Sequence, residues 1–183
     1  MIAIAIIVIL IILLVLWLIS TQRRLVVMDE NINNAMSQIG VQLSARFDAL
    51  TSLLELTKGY DAHEAETLMN TIAARRGVIG AKSGAEDVAE QENVLTEAFG
   101  KLFAVAEQYP DLKASANYQE TMAAVEQYEN ALRSSRLVYN DSVTKLNRAV
   151  RMFPTSLIAG MLGFAAREYL ATEDEKTARP SMK

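Results

Sequence analysis

The sequence predicts an all-α protein in which an N-terminal transmembrane helix precedes an antiparallel, left-handed bundle of the four-helix type. Three observations predict it. Residues Ile2 to Ile19 carry no charge and no strong polar group. The remainder of the 183 residues is rich in Ala, Glu, Gln, Asn and Arg, with 3 Pro and 8 Gly, a composition that suits helices better than strands. Behind the apolar run, hydrophobic residues recur in steps of three and four, the spacing of one face of a helix.

At 1.5 Å per residue the apolar run would extend ~27 Å, close to the thickness of a hydrocarbon core. Trp17 lies near its end, where an interfacial aromatic belongs. A cleaved signal peptide would begin with basic side chains and leave through a small-x-small exit. Neither is present here, so residues 2–19 are expected to stay as an anchor in the lipid bilayer. The run is apolar all the way round, which argues against a core helix. Arg23 and Arg24 follow it and no charged side chain precedes it. The positive-inside rule then places residues 21–183 in the cytoplasm, on a single-pass protein of the cell (inner) membrane.

No Pro or Gly occurs before Ile39, so the anchor can run on into the soluble part without a break. Its stripe is Ile32, Met36, Ile39, Leu43, Phe47, Leu50 and Leu54. Gly40 falls inside this helix at a cost of ~1 kcal/mol relative to Ala. Lys58-Gly59-Tyr60-Asp61 is the first plausible break: Gly59 ends the helix or sits in a kink of a longer one. Leu68, Ile72 and Ile79 resume a helical stripe. Gly77, Gly80, Lys82, Ser83 and Gly84 mark a turn. The next helix reads from about Glu86 to Gln108, with Val88, Leu95, Phe99, Leu102 and Val105 or Ala106 as its stripe. Tyr109-Pro110-Asp111 ends it.

From Ala116 to Phe153 the seam is Tyr118, Met122, Val125, Glu129, Leu132, Arg136, Tyr139, Val143, Leu146, Val150 and Phe153. Steps alternating four and three give the 3.5-residue repeat of left-handed packing, as in a coiled coil. Pro154 stops the helix, and Thr155 or Ser156 is expected to cap a short final one. Four helices with tight connections give an up-down-up-down bundle; the alternative is one ~60-residue helix through Gly59 against the other two laid end to end. The organisation is a transmembrane helix at 1–20, a bundle at 21–170 and a disordered polar tail at 171–183.

Several blocks of this sequence together resemble the LemA family. They are Met36-Ser37-Gln38-Ile39-Gly40-Val41-Gln42-Leu43, Lys58-Gly59-Tyr60 with His63-Glu64, and Tyr109-Pro110-Asp111-Leu112-Lys113-Ala114. Tyr139-Asn140-Asp141, Phe153-Pro154, Gly163-Phe164 and Glu168-Tyr169 complete the set. The resemblance covers about residues 25–170 in order and spacing. It implies one N-terminal transmembrane helix and a helical bundle, and no catalytic activity. The chain departs from the pattern at Met36, where the family often has Trp, at Gly40, where Asp is frequent, and at Thr51-Ser52, where a Pro-Asn pair is common.

Composition removes most chemistry. With no Cys, disulfides, Cys-ligated zinc, Fe–S clusters and thiol nucleophiles are out. One His cannot form a two-histidine metal site within the chain. A net charge of −4 argues against nucleic acid as a partner. Asp61, His63, Glu64 and Glu66 form the one acidic cluster containing a histidine, but Thr67 stands where a zincin's second His would be. The cluster reads as a helix start with Asp61 as cap. Glu129 and Arg136 occupy seam positions, with Glu126 and Arg133 on neighbouring rows, and read as a polar layer. Glu129 is expected to meet Arg133, Arg136 or a group on another helix. Tyr139, Asn140 and Asp141 are expected to hydrogen-bond within the bundle. Leu157 to Phe164 is too short to span a bilayer. It covers the bundle end, lies in the headgroup zone, or meets another subunit.

No catalytic, cofactor-binding or metal-ligating residue is therefore expected, and no cofactor. The chain reads as a membrane-anchored, non-enzymatic scaffold that forms a homo-oligomer at the membrane surface. The alternative is a membrane-tethered adaptor or signalling subunit that docks a specific protein partner.

Overall fold

The computed structural model describes residues 1–171 and contains six helices and no strands among them. The first, α1 (Ile2–Thr57), runs unbroken from the apolar segment into the bundle. Every position of its expected stripe is buried, from Ile32 through Met36, Ile39, Leu43, Phe47 and Leu50 to Leu54. Each such side chain contributes roughly 1.5–3 kcal/mol when removed from water. Residues 2–19 are exposed along their whole length, and this is the described helix long and apolar enough to cross a membrane.

Lys58 caps α1, and Tyr60 and Asp61 turn the chain through backbone bonds to Thr57. Helix α2 (Ala62–Arg75) then runs back along α1 on Ala65, Leu68 and Ile72. At its end Arg76 bonds Asp48 Oδ1 at 2.8 Å and Ser44 Oγ at 2.7 Å, with its guanidinium 5.3 Å from the Phe47 ring centroid. The break near Gly59 thus gives the up-down arrangement rather than one longer helix. Ile79 does not extend the stripe of α2. It lies in the extended connection, where its backbone passes across the helix surface at Gly40. Gln91 latches that connection, accepting from the Gly77 N–H at 2.6 Å and donating to the Arg75 carbonyl at 3.4 Å.

Helix α3 (Ala85–Gln108) runs up again, its start stabilised by Asp87, whose carboxylate accepts from the Gly84 N–H at 2.8 Å. Its stripe is buried as expected, with both Val105 and Ala106 inside. Pro110 opens a single turn, α4 (Pro110–Ala114), and Tyr109 meets Tyr60 with ring centroids 5.5 Å apart, joining the two turns at the end remote from the apolar run. Ser115 caps α5 (Ala116–Arg151) by accepting from the Tyr118 N–H. Helix α5 descends along α1, the most extensive pairing in the molecule.

Two expectations for the last elements are corrected. Phe153 is not a seam residue: α5 ends at Arg151 and Phe153 is 79% exposed. Neither Thr155 nor Ser156 caps α6 (Thr155–Leu162), which follows Pro154 with no side-chain cap. Gly163 ends α6 at φ 79°, a left-handed conformation that costs Gly nothing sterically. Of the polar tail 171–183, all but Ala171 lies outside the described residues.

An exposed pair, Arg75 with Glu97, also ties α2 to α3. Arg75 and Lys101 flank Glu97 at 2.7 and 2.9 Å. Their hydrogen bonds hold the Glu97 carboxyl below the ordinary carboxylate range, Lys101 contributing most. A depressed folded-state value gives stability above the ordinary value that disappears as pH falls through the folded one. Glu97→Gln is expected to lose a small part of its thermal stability at neutral pH and to differ less from the native chain as the pH drops below about 4. Melting curves across that range check this.

Candidate functional site

His63, Glu64 and Glu66 are exposed on the first turns of α2, and Asp61 caps the helix by accepting from the Glu64 N–H at 3.1 Å. The cluster is a helix start, and among the described residues no group of three or more His, Asp or Glu is placed to hold a metal.

The polar layer at Glu129 and Arg136 is completed by groups on other helices. Glu129 pairs with Arg46 of α1 at 2.5 Å, and Arg136 pairs with Glu92 of α3. Neither pair lies within one helix. The side chains of Arg46, Glu92 and Arg136 are about nine-tenths buried, and the Arg46 guanidinium lies 5.8 Å from the Phe99 ring centroid. The layer joins three helices at mid-height. Arg46 and Glu92 went unnoticed in the sequence, although Glu92 fills the missing stripe position between Val88 and Leu95. A charge there signals a buried partner, because an isolated buried charge costs several kcal/mol.

Tyr139 and Asn140 hold the last described segment, residues 164–171. The segment after α6 lies extended along α5. Asn147 Oδ1 accepts from the Arg167 N–H at 2.8 Å and its amide donates to the Arg167 carbonyl at 2.9 Å. One heptad earlier, Asn140 makes the same reciprocal pair with Leu170, at 2.9 Å each way. The Tyr139 hydroxyl donates to the Glu168 carbonyl at 3.2 Å, and burial pushes its pKa up. Arg167 reaches α1 at Asp29. Two side-chain amides thus act as rungs for a strand-like strap, and Leu170 is buried beneath it. Asp141 faces outward and pairs with Lys145. Asn147→Leu removes one rung and is expected to destabilise the fold by about 1–3 kcal/mol and to speed tryptic cleavage at Arg167. Limited proteolysis with mass detection reads the effect.

The end of the bundle beside the apolar run exposes a cluster of large apolar side chains. Ile158 and Ala159 of α6 are buried, whereas Met152, Phe153, Leu157 and Met161 are 57 to 87% exposed. Ile158, Met161 and Leu162 line a crevice with Leu18, Ile19 and Gln22, so α6 stands level with the last turn of the apolar run. Above it, Thr21, Arg24, Arg148, Met152 and Thr155 line a cleft of about 240 Å³ between α1 and the end of α5.

A model described as the LemA family matches residues 35–183. Magnetosome protein MamQ of Magnetospirillum gryphiswaldense is 23% identical over 169 residues, covering 79% of this chain and 62% of that protein. Magnetosome protein MamQ 2 of Paramagnetospirillum magneticum is 26% identical over 102 residues, 56% of this chain and 34% of its own. Protein LemA of Metamycoplasma hominis is 28% identical over 135 residues, 73% of this chain and 62% of its own. The chain therefore spans less than two thirds of the length of each of these relatives.

Proposed function

Because the chain belongs to the LemA family, we propose that it is a non-enzymatic scaffold, held in the cell (inner) membrane by a single helix, whose bundles associate with one another at the membrane surface. The observation that carries this reading is the continuity of α1. One helix of 56 residues forms both the anchor and the wall of the core, so no hinge separates bundle from bilayer. Bundles held in one attitude meet side by side, where the effective concentration of a tethered neighbour is high and weak contacts suffice. Val27 and Val41 on α1 and Leu137 and Val138 on α5 are exposed apolar side chains available for such contacts.

A binding role rather than a catalytic one is supported by where the ionisable groups stand. The buried charges named above are engaged in ion pairs between helices, and the single histidine stands exposed on a helix start. Arg23 and Arg24 support a cytoplasmic bundle. Two measurements test the reading. Full-length protein in detergent at micromolar concentration is expected to scatter light as an oligomer, and a monomer would overturn the scaffold. A cysteine at Ser134, exposed in a chain with no other Cys, is expected to resist an impermeant maleimide added to intact cells; rapid labelling would reverse the orientation. One stoichiometric foreign protein in a pull-down at native abundance would favour the adaptor instead.

A further inference from the structure

We propose that the anchor-side end of the bundle is a binding site for anionic phospholipid of the bilayer in which the anchor stands, with α6 lying in the interface and the cleft beside α1 taking the lipid phosphate. Three independent features point to this occupant. The first is level. Met161 and Leu162 share a crevice with Leu18 and Ile19, residues of the bilayer-spanning run, so a bilayer around the anchor also meets α6. The second is apolar surface. Phe153, Leu157 and Met161 are 79, 63 and 87% exposed on a segment too short to cross a bilayer, the character of an element that lies in the headgroup and acyl boundary.

The third is charge. The chain as a whole carries −4, yet no Asp or Glu occurs in residues 1–28 or 142–167, which contain Arg23, Arg24, Lys145, Arg148, Arg151 and Arg167. Asp141 takes Lys145, and Asp29 takes Arg167. Arg24 and Arg148 come from opposite walls of the cleft, α1 and α5, with the hydroxyl-bearing Thr21 and Thr155 and the apolar Met152 beside them. Guanidinium groups match phosphate oxygens by paired N–H donors. At about 240 Å³ the cleft is smaller than those that hold drug-sized ligands and suits a head group whose acyl chains continue down past Met152 and Phe153 into the bilayer.

The test uses full-length protein in two measurements. Native mass spectrometry after exchange into mixed phosphatidylglycerol and phosphatidylcholine is expected to show preferential retention of phosphatidylglycerol. Arg24→Gln and Arg148→Gln, both exposed positions, are each expected to lower that preference about fivefold. Separately, a nitroxide on Met161→Cys in reconstituted vesicles is expected to be relaxed by oxygen and shielded from a water-soluble nickel complex, whereas one on Ser134→Cys shows the reverse. Equal retention of the two lipids, a preference unchanged by both arginine substitutions, or a label at position 161 as open to nickel as that at 134 would each overturn the proposal.

Discussion

Arg136→Met is expected to lower the unfolding free energy by about 3–5 kcal/mol. The substitution leaves the Glu92 carboxylate about nine-tenths buried without the guanidinium that faces it from α5. Met fills a similar volume, so the loss is electrostatic rather than a cavity. The companion result distinguishes that cause: the double variant Glu92→Leu with Arg136→Met is expected to recover most of the loss, because a well-packed apolar pair of similar volume is commonly neutral or stabilising where an ion pair was buried. Chemical unfolding of the full chain in detergent, followed by circular dichroism, measures both. A single-variant loss below about 1 kcal/mol, the range of exposed pairs, would mean that water reaches the layer. The double variant also separates stability from register. If the ionic layer selects which helix faces meet, the double variant keeps its stability and loses part of its fixed side-chain packing, which near-ultraviolet circular dichroism detects.

Gly40→Ala is expected to destabilise the protein by about 1–3 kcal/mol, although alanine in the middle of a helix gains ~1 kcal/mol in propensity. The sign is decided by contact. A Cβ at position 40 would lie 2.1 Å from the Ile79 carbonyl oxygen and 2.9 Å from its carbon, both backbone atoms that cannot rotate away. The connection from Arg76 to Gly84 would have to lift, breaking the Gln91 latch. Gly40→Asp adds an ionised carboxylate against that same carbonyl, at a buried position, and is expected to cost more. Hydrogen exchange at residues 77–80 should accelerate in both variants, and a stability gain in Gly40→Ala would refute the close approach.

Much of the architecture was legible because it depends on local spacing. The stripes of α1 and α3 are buried position for position and that of α5 is buried or part-buried from Tyr118 to Val150, since a three-four repeat has one way to leave water. The Tyr109-Pro110 break and the Asp61 cap followed from backbone chemistry in the same way. The exceptions lay where periodicity continued past the element that carried it. Ile79 keeps the spacing of α2 and Phe153 that of α5, yet α2 has ended at Arg75, just before Gly77, and Pro154 disfavours helical backbone at the residue it follows.

Partnership between distant residues was not legible. The seam identified Glu129 and Arg136 as charges needing partners, but nothing local could select Arg46 and Glu92, which lie far away along the chain. Asn140 and Asn147 are one heptad apart and gave no sign that they bracket an extended strap. By itself the sequence determined which faces turn inward and that one helix can run without a break from the apolar segment into the bundle, because those follow from helical period and the solvation of apolar side chains. The tertiary structure alone decided which charges meet, where residues 167–170 are fastened, and that α6 stands level with the end of the apolar run, because each of these depends on the path that three turns give to the helices between them.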